Sequence, residues 1–190
     1  MVKLGAKIKR VVSSVDWGYK NPGVIQAWGL DGDDRMYLVH EIYQTGKQID
    51  WWVAKAKEIE AFYRPELFCC DPAEPAFIDA FRAAGLNAIK AYNDVLMGIQ
   101  AVQQRLRRGD DGLPRLFIHA DACPERDPVL VEARKPACTA EEFPGYIWKP
   151  PVANRAVKEE PVKINDHGQD ACRYAVAEVD GLGTYSAGAW

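Results

Sequence analysis

RVVSSVDWGYKNPGVIQAWGLDGDDRMYLVHEIYQ, residues 10–44, is the stretch that decides the fold. Arg10–Asp16 is β-branched, ends at an acid and runs into Trp17-Gly18, which predicts a buried strand followed by a tight turn. Gly23–Leu30 predicts a second strand. Asp31-Gly32-Asp33-Asp34 is turn chemistry, and Arg35–Gln44 predicts a third strand. Three strands joined by short turns make an antiparallel meander.

Beyond Gln44 the period changes. Gln48–Tyr63 carries Ile49, Trp52, Val53, Ala56, Ile59 and Phe62 at helical spacing. Leu67–Cys70 is a short apolar strand ending at Asp71-Pro72, and Glu74–Ala84 a helix stopped by Gly85. Asn87–Ala91 predicts a strand, Val95–Arg108 a helix and Arg115–His119 another strand. From Asp121 to Lys163 the pattern weakens and prolines accumulate. A short helix near Pro128–Ala133, a small hairpin around Tyr146–Lys149 and a long loop are expected there, and so long a loop is usually functional or mobile. Asp166–Val179 predicts the last helix, followed by a frayed tail. A meander followed by helix–strand alternation and a closing helix is an α/β domain with a mixed β-sheet flanked by helices.

The chain has 190 residues, the length of a single domain, so residues 1–190 are read as one unit. At 48% hydrophobic and 27% charged residues it has an ordinary globular composition. No apolar run approaches the roughly 18 residues of a membrane span. Five cysteines, with Cys69 and Cys70 adjacent and no C-x-x-C pair, read as reduced thiols rather than a disulfide frame or zinc ribbon. A net charge of −3 argues against a generally basic nucleic-acid surface, though not against a local basic groove beside an acidic metal site. Neither G-x-x-x-x-G-K-[ST] nor a post-strand G-x-G-x-x-G is present, so the usual nucleotide cradles are missing.

Asp16 and Asp71 fall at the carboxyl ends of the first and fourth predicted strands, where open α/β sheets bind ligands. Singly, each is more simply a turn acid, before Gly18 or Pro72. If the two strands are neighbours, the two carboxylates meet and offer the oxygen ligands that Mg²⁺ or Mn²⁺ takes. The third piece is Asn165-Asp166-His167-Gly168-Gln169-Asp170. Asn165 or Asp166 can cap the last helix. Asp166, His167 and Asp170 project from roughly one face of its first turns. Capping explains Asp166 well and Asp170 less well, because Asp170 precedes Ala171 on the expected packed face and needs a partner. His40 and His119 read as packed strand histidines, and Arg105–Arg108 as a solvated basic helix end. Lys149, Arg155, Lys158 and Lys163 form a basic, proline-containing run leading into the acidic helix. With Lys20 on the other rim, they suit a phosphate backbone.

SVDWGYKNPGV, CDPAEPAFIDAFRAAGLNAIKAYNDVLMGIQAVQQRL and KEEPVKINDHGQDACRYAV together resemble the C-terminal nuclease domain of phage large terminase subunits. The element order likewise fits a ribonuclease H-like core. The resemblance implies a metal-dependent endonuclease that cuts double-stranded DNA during viral genome packaging, inside the host cytoplasm. It implies two Mg²⁺ or Mn²⁺ ions, and as partners an ATPase domain and the portal or procapsid. Carried over by position, Asp16 is the metal-bridging first-strand acid and Asp71 the fourth-strand acid. His167 and Asp170 match the H-x-x-D of the related junction resolvases. Which of Asp170, Asp166 and His167 bind metal directly stays open, with Asp170 ranked first, then Asp166, then His167. The ATPase motifs of a full terminase are absent, so either the domain is excised or the motor is encoded elsewhere. The rival readings are a junction resolvase or transposase-like nuclease of the same fold, a sugar-kinase or actin-like ATPase, and a non-catalytic DNA or procapsid docking domain.

Overall fold

Strand β1, Arg10–Asp16, runs through the middle of a six-stranded sheet whose order is β5-β4-β1-β2-β3-β6. The structure, a computed structural model, describes residues 7–150 and 160–185. β2 (Gly23–Leu30) and β3 (Met36–Gln44) continue from β1 as the expected antiparallel meander. β4 (Phe68–Cys70) pairs parallel to β1, and β5 (Ala88–Lys90) parallel to β4. β6 (Leu116–Ile118) pairs parallel to β3 on the opposite edge. Helices α1 (Ile49–Tyr63), α2 (Pro75–Ala83) and α3 (Val95–Leu106) connect the later strands. Two short helices follow, α4 (Pro128–Glu132) and α5 (Thr139–Glu142), the second of which has no counterpart in the sequence reading. The closing helix α6 spans His167–Val179.

Strand alternation sorts side chains onto two faces. Val11 and Val15 of β1 join Trp52, Ala56 and Ile59 of α1 in one core layer. Val12 faces the other way, with Cys69 of β4 and Cys172, Ala175 and Val176 of α6. Asp16 is on the Val12 face by the period of two, so it emerges beneath α6. Asp71 follows Cys69 on the same face. A β-bulge in β3 sets Ala27 opposite His40 but Trp28 opposite Leu38, leaving Val39 as the extra residue. The bulge turns Glu41 and Tyr43 to the side already occupied by Met36 and Leu38, beneath the start of α6.

Several expectations are corrected by the structure. Arg105 is not solvated: it is buried and forms ion pairs with Asp180 at 2.5 Å and Asp34 at 3.1 Å, tying α3 to the end of α6 and the β2–β3 turn. Phe62, expected on the packed face of α1, is 79% exposed because α1 ends one residue later with Arg64 in the left-handed region. The tail begins with a short helix, α7 (Leu182–Tyr185), rather than fraying at once. The expected hairpin at Tyr146–Lys149 is a longer-range pairing, in which Trp148 bridges Pro161 and Lys149 N–H donates to the Glu160 carbonyl at 2.9 Å. No helix among the described residues is long and apolar enough to cross a membrane.

Candidate active site

The β1–β4 register pairs Val15 with Cys70, so the next residues, Asp16 and Asp71, leave the sheet side by side. Asp71 N–H donates to the Val15 carbonyl at 2.9 Å, and Trp17 Nε1 donates to the Asp71 carbonyl at 3.0 Å. These bonds lock the two strand ends together. The turn after Asp16 needs Gly18, where a Cβ would run into the backbone of Asn21 and Pro22. Asp71 accepts from Ala73 N–H at 3.0 Å, closing the turn expected before Pro72.

α6 lays its first turn over this edge. His167 Nδ1 lies 2.9 Å from Asp16 Oδ2. Asp170 Oδ1 accepts from Arg173 Nη2 at 2.7 Å, and its Oδ2 accepts from Lys163 Nζ at 2.9 Å. Asp166 Oδ2 forms an ion pair with the same ammonium at 3.1 Å, outside hydrogen-bond geometry. Asp16, Lys20, Lys163, Asp166, His167 and Asp170 are among the residues lining one polar cleft of about 490 Å³.

Burial pushes the Asp16 carboxyl up to about 7, with the charges of Asp170 and Asp71 adding to the rise and His167 opposing it. Burial also raises Asp71. Burial alone would push the His167 imidazole down, but the bond to Asp16 and the charges of Asp16, Asp166 and Glu142 together outweigh it and hold the ring above its usual range. The edge therefore gathers acids shielded from water, with oxygen atoms and one imidazole as donors. That donor chemistry fits a hard divalent cation. Among the described residues, no three acidic, histidine or cysteine side chains converge as a ready-made ion cage.

Expectation and geometry differ in instructive ways. Asp166 is at the capping position, yet its side chain caps nothing, and neither does that of Asn165, which adopts a positive φ of 50°. The cap comes from Glu142 of α5, whose carboxylate accepts from Gly168 N–H at 3.0 Å and Gln169 N–H at 2.9 Å. Tyr43 supports Glu142 with a hydroxyl donor at 2.5 Å. Beside them, buried Gln26 donates to the Gly168 carbonyl at 3.0 Å and to Glu41 at 3.1 Å, and the Thr139 hydroxyl donates to Glu41. None of Gln26, Glu41, Thr139 or Glu142 stands out in the sequence. The one local signal, Thr139-x-x-Glu142, has the spacing of a capping box for α5, whereas the glutamate caps a different helix. Asp170 has the partner its position required, in Arg173 and Lys163. Of the basic residues expected on a DNA track, Lys20 and Lys163 line the cleft, and Lys149 pairs with Glu160 at 2.9 Å. Arg155 and Lys158 lie outside the described residues.

A meander with two parallel strands beside its first strand, carboxylates at the ends of β1 and β4, and a closing helix across them make this a ribonuclease H-like fold. Solved phage large terminases share it. The large terminase of a thermophilic bacteriophage, in complex with ATP-γ-S, is 28% identical with a TM-score of 0.72, the match covering 92% of this chain and 41% of that one. The chain thus spans about two fifths of the length of that terminase. The nuclease domain of the bacteriophage SPP1 large terminase, solved with bound Mn, is 20% identical with a TM-score of 0.62, covering 92% of this chain and 88% of that one. The P22 large terminase nuclease domain is 16% identical with a TM-score of 0.56, covering 91% and 81%. No protein-family model and no curated protein matches the chain.

Proposed function

We propose that this chain is a metal-dependent endonuclease that cuts double-stranded DNA during viral genome packaging. The observation that carries this reading is the alignment of Asp16 and Asp71 at neighbouring parallel strand ends, beneath a helix that brings His167 and Asp170 to the same edge. The likeness to terminase nuclease domains supports it. Residues 1–190 act as one nuclease domain. Its partners are duplex DNA, a terminase ATPase domain and the portal or procapsid, in the host cytoplasm.

Asp16, Asp71 and Asp170 would hold Mg²⁺ or Mn²⁺, with Asp166 and His167 as further ligands. When bound, two such ions would supply an activated water and a stabilised leaving 3′ oxygen for phosphodiester hydrolysis. The chain's own groups prepare that chemistry. Asp16 sits in a buried setting that raises its affinity for a proton, so that a cation would compete with that proton for the carboxylate. His167 fixes the Asp16 carboxylate in orientation through a single 2.9 Å contact. Arg173, buried beneath, keeps Asp170 aimed at the cleft. Lys20, Lys149 and Lys163, with Arg155 and Lys158, draw the phosphate backbone to that edge. No described element reads as a base-edge recognition helix, so cleavage has little sequence preference.

A plasmid-nicking assay with Mn²⁺, Mg²⁺ and chelator tests the reading. Metal-dependent conversion of supercoiled to nicked and linear DNA is the expected result. Strong preference for branched over linear duplex would favour a junction resolvase. Duplex binding that metal leaves unchanged, with no cutting, would mark a docking domain.

A further inference from the structure

We propose that Lys163 is a resident cation of the active site: it holds Asp166 and Asp170 when no divalent ion is bound, and metal loading requires its withdrawal. The proposal rests on the metal-dependent reading above and concerns how that site is filled.

One ammonium spans two carboxylates, at 2.9 Å from Asp170 Oδ2 and 3.1 Å from Asp166 Oδ2. The other Asp170 oxygen is committed to Arg173 at 2.7 and 3.2 Å. Asp170 therefore has two cationic partners, one on each oxygen. A divalent ion sits about 2.0–2.6 Å from a carboxylate oxygen. It cannot take Oδ2 on the cleft side while an ammonium remains there, because two cations would share one oxygen within a few ångströms.

Burial decides which cation yields. Arg173 is 2% exposed and packed against Gly98 of α3, where a Cβ would come within 3.2 Å of Nη1. It has nowhere to go. The Lys163 side chain is 50% exposed and lies on the rim of the cleft, on a flexible four-carbon stem. Lys163 is the movable one.

The natural competitor for the ammonium is a DNA phosphate. A duplex that takes Lys163 releases Asp170 to metal. Because coupling between two ligands is reciprocal, metal then strengthens duplex binding. The chain would load its ions best where DNA is already seated.

The test is Mn²⁺ titration, by calorimetry and by loss of the free-ion paramagnetic signal, on DNA-free wild type, Lys163→Met, Lys163→Arg and Lys135→Met. Lys135 lines the same cleft and controls for the general field. Removing a half-exposed ion pair should tighten Mn²⁺ binding about 2–5-fold in Lys163→Met. Lys163→Arg should stay at the wild-type value, and Lys135→Met should move little. Equal or weaker binding by Lys163→Met overturns the proposal, as does equal tightening by Lys135→Met. If wild type and Lys163→Met both fail to bind Mn²⁺, with or without duplex, the metal reading itself falls and takes this proposal with it.

Discussion

Asp16 and Asp71 have the same local surroundings in the sequence as many turn acids, and what separates them is their neighbours in space. Each is pushed above the usual carboxylate range, and each feels the charge of Asp170. Asp16→Asn and Asp71→Asn should each lower metal-dependent cleavage by about 100-fold or more, since even residues that only support metal ligands commonly cost 10–100-fold. Removing a buried carboxylate relieves both desolvation and like-charge repulsion. The metal-free melting temperature of either variant should therefore hold or rise. Cleavage at the wild-type rate, or a collapse of the melting temperature, would show that these residues build the fold rather than the site.

α6 depends on a cap that another helix provides. Its first backbone N–H groups carry partial positive charge and need acceptors, and Glu142 supplies both oxygens. The fit is close at Gly168. A Cβ there would come within 2.9 Å of Glu142 Oε2 and of the Thr139 Cα, and would also meet the Thr139 hydroxyl. Backbone lies in the way, so the helix start must shift. Gly168→Ala should cost about 1–3 kcal/mol as overpacking, lowering the urea midpoint, and should cut metal-dependent cleavage at saturating DNA because His167 and Asp170 ride on that turn. An alanine variant with unchanged stability and rate would contradict the tight seating of α6.

Buried acids give the whole molecule a characteristic pH dependence. Burial, opposed by its three donors, pushes Glu142 up to about 8, as it pushes Asp16 to about 7 and raises Glu41. In each case the folded value exceeds the unfolded one. Between about pH 4.5 and 8 the native state keeps protons that the unfolded chain has lost, so stability falls as pH rises. His167 acts in the same direction: its folded value is raised, and its contribution is lost as pH climbs through it. Each group contributes up to about 1.4 kcal/mol per pH unit over its own window. Urea unfolding of metal-free protein should show a lower midpoint at pH 8.5 than at pH 6. Mn²⁺ should recover part of the loss at the higher pH, because metal binds the deprotonated carboxylates. A midpoint that rises with pH in chelator would refute this account.

The strand meander, the helix–strand alternation and the strand-end acids were all legible before any coordinates, because residues 10–44 are β-branched apolar runs separated by turn residues and later segments repeat near 3.6. Those patterns are local properties, and local chemistry carries them. The residues that seat the closing helix were not legible. Gln26, Glu41, Thr139 and Glu142 come from three separate elements and look like ordinary polar residues one at a time. They become a cap and a buried network only when the β3 bulge turns Glu41 and Tyr43 inward and α5 docks beneath α6. Arg105 follows the same rule. It looks like a solvated cation in its own segment, and it finds its acids across the fold, at Asp34 and Asp180. Periodicity tells which face of an element is apolar, but an ion pair or a cap depends on distance in space, and that distance exists only once the chain has closed on itself.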